Sequence, residues 1–395
     1  MAMKKTLSFA ALAASILAVA ACVYPFDPVI ESEDGRLVVE GDIHVGSLST
    51  FTVSRVLPID SKYSLNTIYA RGYIEGEDGS RIEQVTSPSS VYADFPGSVN
   101  SLRFDTSDLS DSQRYRLHFE DMETGMEYES DWIEVNPAPD IDNLSYILDE
   151  GRGELNVALS MHCNGRSHFR WHYTEEWEYH SREKATHYYV PQTGEVKQFE
   201  NGENTYFCWR SYDSPEIKIF STADQVDDRF IDLEFHRISR TEQRLQVMYH
   251  IKVYLEALDE QAYRYWNNIQ QNSQNQGTIF SPMPSQMAGN IHCVSDPSVP
   301  VIGYIGASRQ AVADMYYDNS VEYFYRQPAP GPMKEVELED PSQFAYYYNM
   351  GYVVCFVTDD LMAPTVYTWV QAVCADCRRS GGTKTKPAGW PNDHK

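Results

Sequence analysis

Tyr115-Arg116-Leu117-His118-Phe119-Glu120 sets large apolar and polar side chains in strict alternation. A period of two marks a half-buried strand, because successive side chains leave a pleated backbone on opposite faces. Tyr115, Leu117 and Phe119 therefore face a core, while Arg116, His118 and Glu120 face water. Phe51 and Val53 alternate with Thr52 and Ser54 in the same way. Turn signals punctuate these runs: Asp78-Gly79 separates Ile74 from Ile82, and Thr124-Gly125 separates Phe119 from Tyr128. No helical period of useful length interrupts them. Residues 37–135 are expected to form an Ig-like or transthyretin-like β-sandwich. Asn136-Pro137-Ala138-Pro139 then reads as a stiff linker, since proline removes a donor and favours extended backbone.

Strand patterns resume at residue 140. A long aromatic-rich piece covers 168–179. Leu245, Val247, Tyr249, Ile251, Val253 and Leu255 alternate along another strand. The register then changes: Asp259 can cap a helix in which Ala262, Tyr265, Trp266 and Ile269 recur at helical spacing. This helix should fade near Asn275 and stop by Gly277. A second short helix is expected at 309–315, with a proline-rich irregular loop at 280–300 between the two. Strands are expected again at 321–325, 352–358 and 365–372. The fold class is thus mainly β: the sandwich, then a second β domain at 140–378 with a helical insertion at about 258–320, and a tail at 379–395.

The first residues carry an address. Lys4 and Lys5 precede an apolar stretch from Leu7 to Ala21, which is too short for a membrane span of about 20 residues. It ends in Val19-Ala20-Ala21-Cys22, small residues before a cysteine, as a lipoprotein signal peptidase requires. The expectation is a signal peptide at 1–21, lipid attachment at Cys22 and a tether at 22–36 bearing Asp27, Glu31, Glu33 and Asp34. The net charge of −25, from 57 acids against 32 bases, argues against nucleic acid and against electrostatic docking on anionic lipid. Acyl chains would therefore hold the protein at its membrane. A mean hydropathy of −0.48 excludes a helical membrane protein.

Specific chemistry is hard to find. The chain has no G-x-S-x-G elbow, no H-E-x-x-H, and no phosphate-cradling glycine loop. His162, His168, His172, His180 and His187 lie close in sequence, but two histidines four apart on a strand sit roughly 13 Å from each other, too far to share a metal. The acid clusters lack the spacing of a calcium loop. Neither a metal nor a cofactor is expected. A pair of carboxylates meeting across strands remains an open alternative, which would make a hydrolase. Besides Cys22 there are six cysteines, which permit up to three disulfides. Cys374-Ala375-Asp376-Cys377 reads as a structural disulfide or as buried thiols. Tyrosine is unusually abundant, at 28 residues. Tyr316-Tyr317, Tyr323 and Tyr325, and Tyr346-Tyr347-Tyr348 cannot all point into one core, so they are expected to supply an aromatic binding surface.

Several strings occur together in order: Glu256-Ala257-Leu258, Ala262-Tyr263-Arg264-Tyr265-Trp266, Gly277-Thr278-Ile279-Phe280-Ser281 with Pro284, Gly289-Asn290-Ile291 and Val301-Ile302-Gly303-Tyr304. Cys374-Ala375-Asp376-Cys377-Arg378, Gly381-Gly382-Thr383 and Lys386-Pro387 follow. In these the chain resembles the Bacteroidetes outer-membrane lipoproteins of domain-of-unknown-function family 4249. Its end departs from them, with Ala388-Gly389-Trp390 where an aromatic pair is expected. The resemblance implies an outer-membrane lipoprotein that neighbours a TonB-dependent receptor, and it implies no catalytic residues. The expected role is that of a non-enzymatic accessory subunit of such a transporter or of another barrel. The alternative outside enzymes is a lone surface protein binding glycan or peptide. The helix at 259–275 and the loop at 280–300 are the expected contact surface.

Overall fold

The computed structural model describes residues 35–57, 67–85, 101–200, 205–214, 218–223, 227–274, 289–329 and 333–391. Cys22, the leader at 1–21, most of the tether, and the first part of the 280–300 loop lie outside these residues. The chain is mainly β and builds several sheets. The strands Leu37–Glu40, Leu48–Arg55 and Ser101–Asp105 pair antiparallel in one sheet. Ala70–Gly76, Arg81–Glu83, Arg114–Asp121, Met126–Ser130 and the short Ile133–Glu134 form a second. Tyr115, Leu117 and Phe119 are wholly buried and share one core with Phe51, Val53 and Phe104 of the opposing sheet.

This pair of sheets is not continuous in sequence. Residues 289–308 return to it: Ile291–Cys293 extends Met126–Ser130, and Val301–Ile302 runs parallel beside Leu37–Glu40. Ala307–Ser308 pairs parallel with Ile43–His44. The expected insertion into the second domain is therefore corrected. Its latter half completes the first pair of sheets, covering edges whose backbone donors and acceptors would otherwise lie unpaired. Close approach dictates the residues there. A Cβ on Gly289 would lie 1.9 Å from the Gly303 carbonyl oxygen. The buried Asn290 amide donates to the Ile305 carbonyl and accepts from its N–H, both at 2.8 Å. The expected stiff linker is also tied down by the same segment. The Asn136 N–H donates to the Ala307 carbonyl, and the Asn136 carbonyl accepts from the Arg309 N–H.

A second pair of sheets follows. One holds Asp140–Asp149, Glu154–His162 and Arg229–Ser239. The other holds Phe207–Asp213, Lys218–Ser221, His168–His180, Met248–Ala257 and Ala311–Asp318. Tyr249, Ile251, Val253 and Leu255 are all fully buried, as their alternation predicts. The helix expected at 309–315 is instead the edge strand Ala311–Asp318, paired along its length with Met248–Ala257. The strand expected at 321–325 is broken: Asn319–Glu322 makes one helical turn, and Tyr323 adopts φ 52 after it. Glu260–Gln274 is the expected helix, with the Asp259 carboxylate accepting from the Ala262 N–H at 2.7 Å. Its Ala262 and Tyr265 pack on Leu258 and Tyr304, so it seals the junction between the two sheet pairs.

The last module is composite. Glu335–Leu338, Val366–Gln371 and Tyr352–Thr358 form a three-stranded sheet. The hairpin His187–Val190 and Glu195–Gln198, which lies within the second β segment, reaches across to it. Tyr189 packs on Trp369 and Tyr348, with ring centroids 5.6 and 5.3 Å away. The short helix Phe344–Asn349 closes over the same tryptophan through Phe344. No helix among the described residues is long and apolar enough to cross a membrane.

Candidate functional site

The last module contains a cavity of about 570 Å³, the size of a small-molecule site. One wall is aromatic, with Tyr188, Tyr189, Phe199 and Tyr348 above Val353 and Val354. The hairpin brings the first three and the short helix brings Tyr348. Tyr188 lies 4.9 Å from Phe199, ring centre to ring centre, so the wall is built from rings already packed together. His187 and Thr205 line the cavity too, and burial holds the His187 imidazole below its ordinary value.

The other wall is basic, formed by Arg378, Arg379 and Lys384. Asp376 is the one carboxylate among the lining residues, and Arg378 takes both of its oxygens, at 2.9 and 2.8 Å. That bond raises the Arg378 value further. The Lys384 ammonium donates to a neutral acceptor, the Phe207 carbonyl. Burial, and then the neighbouring Arg378, pull Lys384 below the usual lysine value.

The basic wall is fastened to the second sheet pair. A disulfide joins Cys208 on Phe207–Asp213 to Cys377, 169 residues later. The expected Cys374–Cys377 bridge is corrected: Cys374 is a free thiol packed near Cys355, whose own thiol burial pushes up to about 12. The one-turn helix Ala372–Ala375 followed by Cys377–Ser380 carries Cys377 away from Cys374 and toward Cys208. Thr383 and Trp209 exchange both backbone hydrogen bonds at 2.9 Å. Between them, Gly382 is required, since a Cβ there would sit 2.3 Å from the Tyr179 hydroxyl and 2.6 Å from the Cys208 Cβ. Trp390 ends the strap, buried with its indole N–H donating to Glu178 at 3.0 Å.

The seven tyrosines singled out in the sequence do not share one face. Tyr317 is core, and its hydroxyl donates to Asn319. Tyr316 stacks on His250 with centroids 4.2 Å apart, and Tyr325 is half-buried beside the same core. Tyr323 and Tyr346 are exposed. Tyr347 is half-buried, and Tyr348 alone of the seven lines the cavity. Sequence reading missed the basic wall, although residues 377–391 hold four cations and no acid in an acidic chain.

A second cavity, of about 460 Å³, lies on the second sheet pair between Tyr173, Trp177, Arg210 and Tyr212. At its base the buried Glu175 carboxylate accepts from Arg244 at 2.7 and 2.9 Å, from Tyr249 at 2.7 Å, and meets His236 at 2.9 Å. Burial works against its charge, yet His236 and Arg244 hold it below the ordinary carboxylate value. The nearby Glu242 is bound by Arg244 as well. The described residues bring together no group of three or more His, Cys, Asp or Glu side chains that could hold a metal ion.

Comparison with known proteins places the chain by family. The chain belongs to the family described as Domain of unknown function (DUF4249), whose model matches residues 23–313, well over half of its length. No curated protein matches it. The matched region includes Gly289, Asn290 and Gly303, the close-contact residues of the returning segment, and ends before the basic wall.

Proposed function

We propose that this protein is a non-enzymatic lipoprotein of the Bacteroidetes type, anchored in the outer membrane through lipid on Cys22. In this reading the first pair of sheets is an Ig-like or transthyretin-like spacer. The last module holds a ligand for a TonB-dependent transporter or another barrel, to which the protein is an accessory subunit. The supporting observation is the cavity with one aromatic and one basic wall, whose single carboxylate is engaged by Arg378. Such a site is equipped to hold a ligand, and its described lining residues carry no pair of carboxylates to cleave one. In the second cavity Glu175 and Glu242 are both tied to Arg244, which speaks against the hydrolase alternative.

Purification of the tagged, lipidated protein from mild-detergent outer membranes, followed by mass spectrometry, tests the partner. A barrel protein in stoichiometric amount supports the accessory role. Recovery of the lipoprotein alone, where other complexes stay intact, would leave a stand-alone binder of glycan or peptide. The anchor is tested by Cys22→Ala, which should abolish labelling by a palmitate analogue and move the protein to the soluble fraction.

A further inference from the structure

We propose that the cavity of the last module takes a small organic anion, one acidic group on a planar apolar body, with Arg379 and Lys384 as its anchors. This rests on the reading of that cavity as a binding site and names what it binds.

Charge carries the argument first. The chain has 57 acids against 32 bases, so cations gathered without matching acids stand out. Arg378, Arg379 and Lys384 converge on one wall with Asp376, and Asp376 is used by Arg378. Arg379 makes no ion pair among the described residues, and Lys384 points its charge at a carbonyl. Among the described residues, then, two cations border the cavity with no ion pair of their own, and Asp376 and Glu178 offset only part of what disfavours the Lys384 charge. Arg378 and burial both disfavour the Lys384 charge, and an anion between Lys384 and Arg379 would reverse that.

Preorganisation comes second. The disulfide, the Thr383–Trp209 exchange and the Gly382 contact hold the basic turn in place, so little ordering remains for a ligand to bring about. Shape comes third. The rings of Tyr188, packed on Phe199, and of Tyr189, packed on Tyr348, line the same cavity as the cations and offer flat apolar surface for the body of the ligand.

Isothermal titration of the lipidated protein in detergent, against a micelle blank, with naphthalene-2-sulfonate and the neutral naphthalene-2-sulfonamide, tests this. The sulfonate should bind one equivalent per chain, at least tenfold tighter than the sulfonamide, and weaken as salt rises. The double variant Arg379→Gln/Lys384→Gln should erase that preference and leave the weak sulfonamide binding in place. Tyr348→Ala should weaken both probes. Arg379→Gln alone changes an exposed side chain and should lower the preference at least threefold, which keeps the test readable if the double variant folds poorly. Equal binding of the two probes to the native protein, or a preference that survives in Arg379→Gln, would overturn the anion assignment while sparing the cavity. Binding of neither probe would remove both.

Discussion

Arg170 shows how one side chain can hold two folding units together. It lies on His168–His180, with its guanidinium between Glu256 of the neighbouring strand, at 2.7 Å, and Asp42 of the first pair of sheets, and it stacks on Trp266 of the helix. Ser308 of the returning segment donates to the same Glu256 at 2.6 Å. Burial alone would push Glu256 toward its neutral form, but Arg170, His44 and Ser308 together outweigh it and leave the carboxyl below its ordinary value. Arg170→Met would strand two buried carboxylates, and should cost about 3–5 kcal/mol, read as a lower urea midpoint. On the same strand, burial holds the His172 and His180 imidazoles below the ordinary value of 6.5. The unfolded chain then binds more protons than the native one as pH drops under about 6.5. The stability these histidines contribute is complete above that pH and is lost as pH falls through their native values. The melting temperature should therefore fall between pH 7.5 and 5.5, and His172→Gln should flatten that slope.

Elements were legible in the sequence where one face alone decides them. Arg114–Asp121 and Met248–Ala257 alternate because each is buried against an opposing sheet, and the Asp259 cap announces its helix. Ala311–Asp318 was hidden by helix-forming Ala, Gln and Met. What decides it is pairing with Met248–Ala257, and the turn inward of Met315 and Tyr317 follows from that. The break at Tyr323 depends on a left-handed backbone that a tyrosine gives no reason to expect. The cavity was illegible for a different reason: its walls come from residues 185–205, 348–354 and 376–384, which only tertiary structure brings together. Its basic wall depends on the Cys208–Cys377 bridge, which closes a loop of 169 residues. Replacing both cysteines with serine should cost about 2–5 kcal/mol. The same change should lower naphthalene-2-sulfonate affinity by freeing the turn that carries Arg379, which titration of the refolded variant would read.

At the scale of the whole molecule, three separated parts of the chain interlock. The first pair of sheets needs residues 289–308, the last module needs the hairpin His187–Val190 with Glu195–Gln198, and Trp390 docks on the second pair of sheets through Trp209 and Met248. Cutting the chain after residue 136 should therefore give a fragment without cooperative unfolding, as measured by circular dichroism during a melt. Joining residues 289–308 to that fragment through a flexible linker should restore a transition. The returning segment also sets a timetable. A growing chain releases its amino end first, yet Leu37–Glu40 finds its parallel neighbour only after Val301–Ile302 has been made. For most of its synthesis the newborn chain carries an open, hungry edge near its amino end, and the part made first is among the last to be finished.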